Sequence, residues 1–392
     1  MNNPVVITHA KRTPMGAFQG ALSPLSSVDL GAITIKSLLE HVDGSAITDV
    51  IMGCVLPAGL GQAPARQAML KAGVPRSAHA MTINKVCGSG LKTIMMAHDQ
   101  LLLNQDDVII AGGMESMTNA PYLLPNARSG YRFGHGKVMD HMALDGLEDP
   151  YNGGGTAMGV FAENTADKYG FTREDQDAFA IESGNRAINA VESGAFVQEI
   201  TPCEISGRKG TTVVDTDEPP SKVLFDKIPK LKSPFRDGGT VTAANASSLT
   251  DGAAVVLMMR LEKANQLGLT PIAKVIGHAT HSQEPEWFTT APVGAIEKLY
   301  KKVSLTPQNV DLYEINEAFA VVTMAAMKDL DLDHGKVNIH GGACALGHPI
   351  GASGTRLVVT LAHALKSQQM KTGIASLCIG GGEGVALALE AI

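Results

Sequence analysis

The residue with the clearest chemical potential is Cys87, in the stretch MTINKVCGSGLKTIMMA at residues 81–97. It lies where an apolar extended run meets a glycine-interrupted turn, just before a helical pattern begins. A thiol at the N-terminus of a helix has a lowered pKa and acts as a nucleophile. A cysteine is also a small hydrophobic residue that is usually buried. This stretch alone leaves both interpretations open, and the nucleophilic one predicts a depressed pKa for the Cys87 thiol.

Three further stretches carry residues suited to proton or acyl transfer: Asn316 in NEAFA, His348 in GGACALGHPIGASG and Cys378 in CIGGGEG. Imidazole titrates near neutral pH, so His348 is a candidate acceptor for the proton of Cys87. On their own, Cys378 fits a buried strand cysteine and Asn316 fits a helix N-cap. Three of the four stretches follow predicted strands, which favours their meeting at one site.

The elements that must position these residues alternate short apolar runs with helical patterns, which predicts an α/β fold with a sheet covered by helices. The last third of the chain repeats the first. Asp49 precedes Cys87 by 38 residues, and Asp311 precedes His348 by 37. Each of these loops is followed by a similar helix, SGLKTIMMA and SGTRLVVTLA. We interpret the chain as two related halves whose equivalent loops converge, because ligands of α/β sheets bind beyond the carboxyl ends of strands.

The region from about residue 119 to residue 250 has a different texture, richer in glycine, proline and polar residues. Loops with this composition often carry function, and we interpret the region as an insertion packed on the main body. One helix is predicted inside it, over FTREDQDAFAIESGNRAINAVESG. Thr172 and Asp175 form a capping pattern at its start.

Composition and charge restrict the class of protein. A chain of 392 residues with a net charge of −7 suits two or three domains and argues against a nucleic-acid partner. Its five cysteines include no CxxC pair, so neither disulfides nor a zinc site are expected. Neither a P-loop nor a dinucleotide-binding pattern occurs. Without a secretory signal or a membrane-length apolar run, we expect a cytoplasmic protein with no membrane attachment.

Together these motifs resemble the thiolase family over essentially the whole chain. The resemblance also includes AKRTPMGAF near the start, GLGQAPARQA at residue 59 and GTVTAANASSLTDGAA at residue 239. It implies the thiolase fold, with two related αβ halves forming a five-layered αβαβα core and an inserted loop domain. The implied N-terminal half spans 1–118, completed by about 250–270. The loop domain spans 119–249 and contributes to coenzyme A binding, and the C-terminal half spans 271–392.

The resemblance further implies acyl transfer between coenzyme A thioesters, in which two acetyl-CoA and acetoacetyl-CoA plus CoA interconvert by a ping-pong mechanism. Cys87 is then the nucleophile that carries the acyl group, His348 takes its proton, and Cys378 is a second acid/base at the α-carbon. Asn316 holds a water that, with His348, stabilises the enolate oxygen. The backbone N–H groups of Cys87 and Gly380 form a second oxyanion hole.

Coenzyme A is a substrate in this reaction, and no cofactor or metal is expected. By resemblance, the residues at coenzyme-binding positions are Met158, Phe235, Ala243, Ser247, Ala318 and Phe319. The sequence departs from the short-chain thiolase pattern at Ala157, where a histidine is usual, and at Lys227, which we expect near the phosphates. Trp287 and Phe288 replace a smaller motif and would shorten the acyl pocket if they line it. The family also implies a homotetramer, a dimer of dimers.

Several alternatives stay open. A thiolase for longer 3-ketoacyl-CoA substrates cannot be separated firmly by sequence. A decarboxylating condensing enzyme would use two histidines with its cysteine, so Cys378 argues against it. A non-catalytic coenzyme- or lipid-binding relative would be expected to lack at least one of Cys87, Asn316, His348 and Cys378, and all four are present. A cysteine hydrolase is disfavoured because none of its local signatures occurs.

Overall fold

A computed structural model describes residues 3–151, 153–208 and 210–392, so residues 1 and 2 of the predicted N-terminal half lie outside the described residues. The helices are α1 (Ser27–Leu38), α2 (Pro64–Ala72), α3 (Ser89–Leu103), α4 (Met158–Tyr169), α5 (Arg173–Glu192), α6 (Leu261–Gln266), α7 (Ala291–Val303), α8 (Ala320–Leu330), α9 (Ala343–Leu346) and α10 (Ser353–Ser367). The strands are β1 (Val5–Arg12), β2 (Gly16–Ala17), β3 (Asp49–Gly53), β4 (His79–Ile83), β5 (Val108–Ser116), β6 (Tyr122–Leu123), β7 (Met139–Asp140), β8 (Glu148–Asp149), β9 (Thr156–Ala157), β10 (Cys203–Gly207), β11 (Gly210–Val214), β12 (Thr250–Arg260), β13 (Ala273–Ser282), β14 (Leu312–Ile315), β15 (Thr372–Ile379) and β16 (Glu383–Ala391).

Within the described ranges, ten strands form one sheet in the order β14-β15-β16-β13-β1-β12-β5-β3-β4, with β2 paired to β12. β1 and β13 pair at only two positions, Val6 with Lys274 and Ile7 with Ala273, so the sheet divides there into two halves. The first half contains the parallel strands β4, β3 and β5, and the second contains the parallel strands β14 and β15. The repeat of strand arrangement agrees with the prediction of two related halves.

Three apolar layers separate the helices from the two halves of the sheet. The two faces of β12 illustrate this, because Val255 and Leu257 pack beneath α1 and α2 while Val256 and Met258 face α3 and α10. A third layer joins α7 and α8 to the outer face of the second half, with Leu299 and Ile315 among its members. Helices α3 and α10 therefore lie between the two halves of the sheet, and the resulting order of layers is αβαβα.

The first turns of α3 and α10 touch backbone to backbone. A Cβ atom on Gly90 would lie 2.8 Å from the Thr355 nitrogen, and one on Gly354 would lie 2.3 Å from the Leu91 nitrogen. The Thr355 hydroxyl donates a hydrogen bond of 2.9 Å to the Gly90 carbonyl across this contact. Only glycine permits so close an approach. Because Cys87 and His348 precede these two helices, the contact brings the loops of the two halves together.

Most of the elements predicted in the first third agree with the structure, including β1, β3, α3 and β5. Helix α5 begins with the capping box between Thr172 and Asp175 that the sequence predicted. Helix α1 begins at Ser27, because Ser26 and Asp29 form a capping box there. No helix in the described ranges is both long and apolar enough to cross a membrane.

The chain leaves the large sheet at the end of β5 and returns to it at the start of β12. Between them the described residues form α4, α5, two 3-10 helices, one π-helical turn at Ala143–Leu147 and three two-stranded sheets. Short apolar runs separated by glycines explain why no regular element was predicted before α5, so α4 was missed. The division into units at residues 118, 249 and 271 stays a prediction.

Candidate active site

Cys87 lies in a tight turn between β4 and α3. The preceding residue, Val86, has a φ of +47°, a left-handed conformation that strains a β-branched side chain by roughly 1–3 kcal/mol. Two hydrogen bonds hold it there, from the Val86 N–H to Asn84 Oδ1 and from the Ser89 hydroxyl to the Val86 carbonyl, at 2.8 and 2.7 Å. The strained turn presents the Cys87 side chain to the interior cavity described below.

His348 occupies the equivalent loop before α10, and its imidazole is buried. Its Nδ1 lies 2.5 Å from the hydroxyl of Ser353, and that hydroxyl also lies 2.9 Å from the Pro349 carbonyl, which can only accept. When Ser353 donates to Pro349, Nδ1 carries the ring proton and Nε2 is the free base. The Asn316 amide nitrogen is 3.5 Å from both ring nitrogens.

A cavity of about 290 Å³ is lined by Cys87, His348 and Gly380, so residues from both halves of the fold face one space. The backbone N–H groups of Gly380 and of Cys87 itself donate toward the Cys87 sulfur. A Cβ atom on Gly380 would meet only ordinary contacts, 3.6 Å from Met158 Sδ at the nearest. The lack of a side chain there therefore leaves the N–H open to the cavity.

Burial sets the protonation states of this pair. It raises the pKa of the Cys87 thiol from 9.0 to about 11, against the opposing effect of the Gly380 and Cys87 N–H groups. The depressed pKa predicted for Cys87 is therefore wrong, because removal from water outweighs the start of α3 and the two N–H donors. Burial, helped by the charge of Arg356, lowers the pKa of His348 from 6.5 to about 3. The Cys87 thiol and the His348 imidazole, which line the same cavity, are therefore both neutral at rest.

Cys378 and Asn316 lie behind the cavity wall and are fully buried. Burial, and then the nearby Cys87, hold the pKa of the Cys378 thiol well above its ordinary value. Asn316 does not cap a helix, since α8 begins later and its N-cap is Phe319. Its Oδ1 has no hydrogen-bond partner among the described residues, so a buried acceptor is available for a water or a ligand.

The predicted coenzyme-binding residues divide between two neighbouring cavities. The inner cavity, which contains Cys87, is lined by Met158, Phe235, Ser247, Ala318 and Phe319. Ala243 and Lys227 line a second, outer cavity of about 530 Å³. Ser248 and Leu249 line both cavities, which makes them neighbours. Phe235 also packs on Gly159, where a Cβ atom would lie 2.4 Å from its ring.

The departures from the family pattern have distinct positions. Ala157 lines the inner cavity and offers no polar group to it. Phe288 lines the same cavity, whereas Trp287 is absent from its lining and instead carries Lys168 4.3 Å above its ring. The condition that these aromatic residues line the cavity is therefore met by Phe288 and not by Trp287.

The outer cavity is lined by two lysines, Lys222 and Lys227. Lys222 forms an ion pair of 2.6 Å with Glu218, whereas Lys227 has no carboxylate within ion-pair distance among the described residues. Lys230 and Lys232 are exposed and do not line the cavity. Lys227 is thus the lysine best placed to meet an anionic group in this cavity.

Two residues of the site were not singled out from the sequence. Ser353 contacts His348 from the first turn of α10, and its position five residues after the histidine in a glycine-rich block was the available signal. Glu115, buried at the end of β5, accepts hydrogen bonds of 2.9 Å from the N–H groups of Val55 and Gly351. It thereby joins the loop after β3 to the loop that carries His348.

Comparison with known proteins agrees with this architecture. Family profiles described as thiolase N-terminal domain and thiolase C-terminal domain match residues 5–262 and 269–391. The acetyl-CoA acetyltransferase of Cupriavidus necator is 49% identical over 98% of this chain and 99% of its own. Acetyl-CoA acetyltransferase 1 of Arabidopsis thaliana is 49% identical over 98% of this chain and 94% of its own length.

Solved structures confirm the predicted fold. The Bacillus anthracis acetyl-CoA acetyltransferase is 41% identical with a TM-score of 0.96, covering 100% of this chain and 99% of that one. A thiolase from Ascaris suum in complex with coenzyme A is 42% identical with a TM-score of 0.94, and the match covers 99% of this chain and 100% of that one. Since the two profiles span nearly every residue and relatives match along almost their full length, this chain belongs to the thiolase family.

Proposed function

We propose that this chain is an acetyl-CoA C-acetyltransferase, which interconverts two acetyl-CoA with acetoacetyl-CoA and CoA through an acyl-Cys87 intermediate. The observation that carries the proposal is the placement of Cys87 and His348 in one inner cavity that adjoins a lysine-bearing outer cavity. A narrow inner space suits the thioester and pantetheine arm, and the outer space with Lys227 suits the phosphates. Relatives named acetyl-CoA acetyltransferase support the same substrate.

In the first half-reaction, His348 accepts the proton of the Cys87 thiol while the sulfur attacks the acetyl carbonyl carbon. The bond between that carbon and the coenzyme sulfur then breaks. The departing CoA thiolate takes the proton from His348, which leaves acetyl-Cys87 and free CoA. A neutral imidazole with a free Nε2 is the form required, and the low pKa of His348 keeps it so at neutral pH.

In the second half-reaction, the thiolate of Cys378 removes an α-proton from a second acetyl-CoA. The resulting carbanion attacks the acetyl-Cys87 carbonyl carbon, and the Cys87–carbon bond breaks to release acetoacetyl-CoA. In this scheme Cys378 first gives its proton to His348, and that proton ends on the departing Cys87 sulfur, so the enzyme returns to its starting state. A raised pKa makes the Cys378 thiolate a strong base once it forms.

Two sets of donors stabilise the oxygen anions of these steps. The N–H groups of Cys87 and Gly380 already point toward the sulfur, so they face an oxygen on the carbon attached to it. The free Oδ1 of Asn316 suits a water that would donate, together with protonated His348, to the enolate oxygen. Fixed donors of this kind need no reorganisation during the reaction.

A trapping experiment tests the proposal. The protein is mixed with equimolar acyl-CoA thioesters from acetyl upward and quenched in acid, and the peptide that contains Cys87 is weighed by mass spectrometry. We expect acetyl on that peptide and no adduct in the Cys87→Ala protein. Longer acyl groups on the same peptide would assign a broad 3-ketoacyl-CoA thiolase instead, and folded protein without any adduct would refute the mechanism.

The division of labour between the two thiols has its own test. Replacement of Cys378 by Ala should leave formation of acetyl-Cys87 intact, because that step uses only Cys87 and His348. Condensation to acetoacetyl-CoA should fall to the background rate, because no base remains at the α-carbon. The two steps are measured separately by intact-mass kinetics and by absorbance of the product enolate. Equal loss of both steps would show that the assignment of roles is wrong.

We propose further that the protein acts in the cytoplasm, in lipid and fatty-acid metabolism, as a homotetramer. The family resemblance supports the assembly, and β4 supports it too, since it is an edge strand with half-exposed side chains. Light scattering on purified protein should give four times the mass of the 41.0 kDa chain. A mass of one or two chains would contradict the tetramer.

A further inference from the structure

Three side chains far from the cavity form a compact cluster between α3 and β13. They are His98 and Asp99 on α3 and His278 on β13, and each offers a ligand atom within 4.8 Å of the others. His98 lies roughly 14 Å along α3 from Ser89, the first residue of this helix, because each helical residue adds about 1.5 Å. The cluster therefore has no part in the acyl-transfer site.

One carboxylate oxygen is the centre of this cluster. Asp99 Oδ1 lies 3.1 Å from His98 Nδ1 and 2.8 Å from His278 Nε2. The two rings meet edge to face with centroids 5.2 Å apart. In a tetrahedral zinc site with bonds of about 2.0–2.1 Å, neighbouring ligand atoms lie roughly 3.3 Å apart. The two separations from Asp99 Oδ1 lie near that spacing and the third is at most 4.8 Å, so the three ligand atoms would surround an ion after side-chain rearrangement.

The exposure of the three side chains suits a bound ion that keeps water ligands. The His98 and His278 side chains are 12% and 9% exposed, whereas Asp99 is 58% exposed. Two imidazoles are thus held by packing on one side, and the solvent side stays open. Two histidines and one carboxylate with open positions are a ligand set that borderline transition metals prefer.

The charges around the cluster decide which ions fit. Lys302 donates to the His278 carbonyl at 3.1 Å, and both Lys302 and Arg260 add positive charge near His98. These cations oppose the binding of every divalent ion, so an ion here has to be held by coordinate bonds from the two imidazoles. Imidazole nitrogen is a ligand of zinc-class ions, whereas Ca²⁺ and Mg²⁺ prefer oxygen ligands.

We propose that His98, Asp99 and His278 bind one divalent transition-metal ion of the zinc class, which fastens α3 to β13 and completes its coordination with water. The alternative is a hydrogen-bonded network that binds no metal. In that network Asp99 simply accepts from both rings, as the distances allow. The two differ in whether the full-length protein takes up a stoichiometric ion at this place.

The test uses chelator-treated full-length protein with Cys87→Ser as the background, which removes the reactive thiol as a competing ligand. Cobalt(II) is the probe, because nitrogen and oxygen ligands give only weak visible bands whereas thiolate ligation adds an intense near-ultraviolet band. Zinc uptake is then measured by competition with a chromophoric chelator. Thermal unfolding is followed with and without zinc, since an ion that binds only the folded state raises the midpoint.

Three variants separate metal binding from hydrogen bonding. His278→Gln and His98→Asn place an amide nitrogen near the original ring nitrogen, so each keeps a donor for Asp99 but loses an imidazole ligand. His41→Gln is the matched control, because His41 is not a member of the cluster. Its ring stacks instead on that of His9, with the ring centroids 4.3 Å apart. All three should fold, and their midpoints without metal provide the reference for the effect of zinc.

We expect one equivalent of metal in the background protein and in His41→Gln, without a thiolate band. His278→Gln and His98→Asn should lose that equivalent together with the zinc-dependent rise in midpoint. The proposal is overturned if the background protein binds no stoichiometric ion, or if both cluster variants bind as well as the control. A strong thiolate band from the bound equivalent would likewise overturn it, because it would place the ion at a cysteine.

Discussion

Because Cys87 and His348 are both neutral at rest, the rate at which iodoacetamide alkylates Cys87 can be predicted. Only the thiolate reacts, and raising the pKa of the Cys87 thiol from 9.0 to about 11 lowers the thiolate fraction at neutral pH roughly 100-fold. A more basic thiolate is also intrinsically more nucleophilic, which returns a factor of about 6–10. Cys87 should therefore react roughly 10-fold more slowly at pH 7 than an unperturbed thiol.

The dependence on pH is a sharper signature than the absolute rate. Between pH 7 and pH 10 the solution stays below the pKa of about 11, so the rate should rise about tenfold for each pH unit. Peptide mass spectrometry separates Cys87 from the other four cysteines and gives its rate at each pH. The same peptide in urea-unfolded protein is the control, and its rate should level off above the ordinary pKa near 9.0.

The opposite result is equally distinct. If Cys87 and His348 rested as a thiolate–imidazolium pair, alkylation would be fast and independent of pH across the neutral range. His348→Asn would then slow the reaction severely, whereas in a neutral pair it should leave the profile of the free enzyme nearly unchanged. A flat profile between pH 6 and pH 8, removed by His348→Asn, would refute the reasoning from burial.

Three further predictions concern residues that line or support the cavities. Ser353→Ala should slow formation of acetyl-Cys87 about 5–10-fold at unchanged KM, since it removes one hydrogen bond worth about 1 kcal/mol from His348, and Ser353→Thr should restore the rate. Lys227→Glu should raise KM for acetyl-CoA about fivefold, which corresponds to about 1 kcal/mol of binding free energy. KM for acetyl-pantetheine should stay unchanged, because this substrate lacks the nucleotide phosphates. The control is Lys232→Glu, at an exposed lysine outside the cavity. Phe288→Leu should raise kcat/KM for longer acyl chains relative to acetyl, because this ring lines the inner cavity, and Trp287→Leu should not.

The meeting of Cys87 and His348 at one cavity could be predicted because the two residues lie at repeated positions of the chain. Cys87 and His348 precede equivalent helices, and their nearly equal spacing from Asp49 and Asp311 indicates that the same arrangement of elements occurs twice. Patterns of this kind describe local structure well. They also indicate which loops meet, because parallel strands place their carboxyl ends at one edge of a sheet.

Properties that depend on burial could not be predicted from the same patterns. The pKa of Cys87 is set by how much of the second half covers it, and neighbours such as Cys378 are distant in sequence. The helix terminus that suggested a thiolate is local and visible in the sequence, whereas the opposing desolvation is not. For the same reason, the sequence could not separate Phe288, which faces the cavity, from Trp287, which does not.

Cys87 lies in the first half of the fold, whereas residues that bury it belong to the second half. This arrangement has a consequence during protein synthesis. About 290 residues separate Cys87 from Cys378, so at roughly 5–20 residues per second the ribosome needs about 15–60 s to make that interval. Throughout it, Cys87 belongs to a nascent chain whose second half does not yet exist. Without that half to cover it, we expect the thiol to be more solvated, with a pKa nearer its ordinary value and greater exposure to oxidants. Completion of the last strands ends this period, so oxidative damage to this enzyme should be concentrated in newly made chains rather than in mature ones.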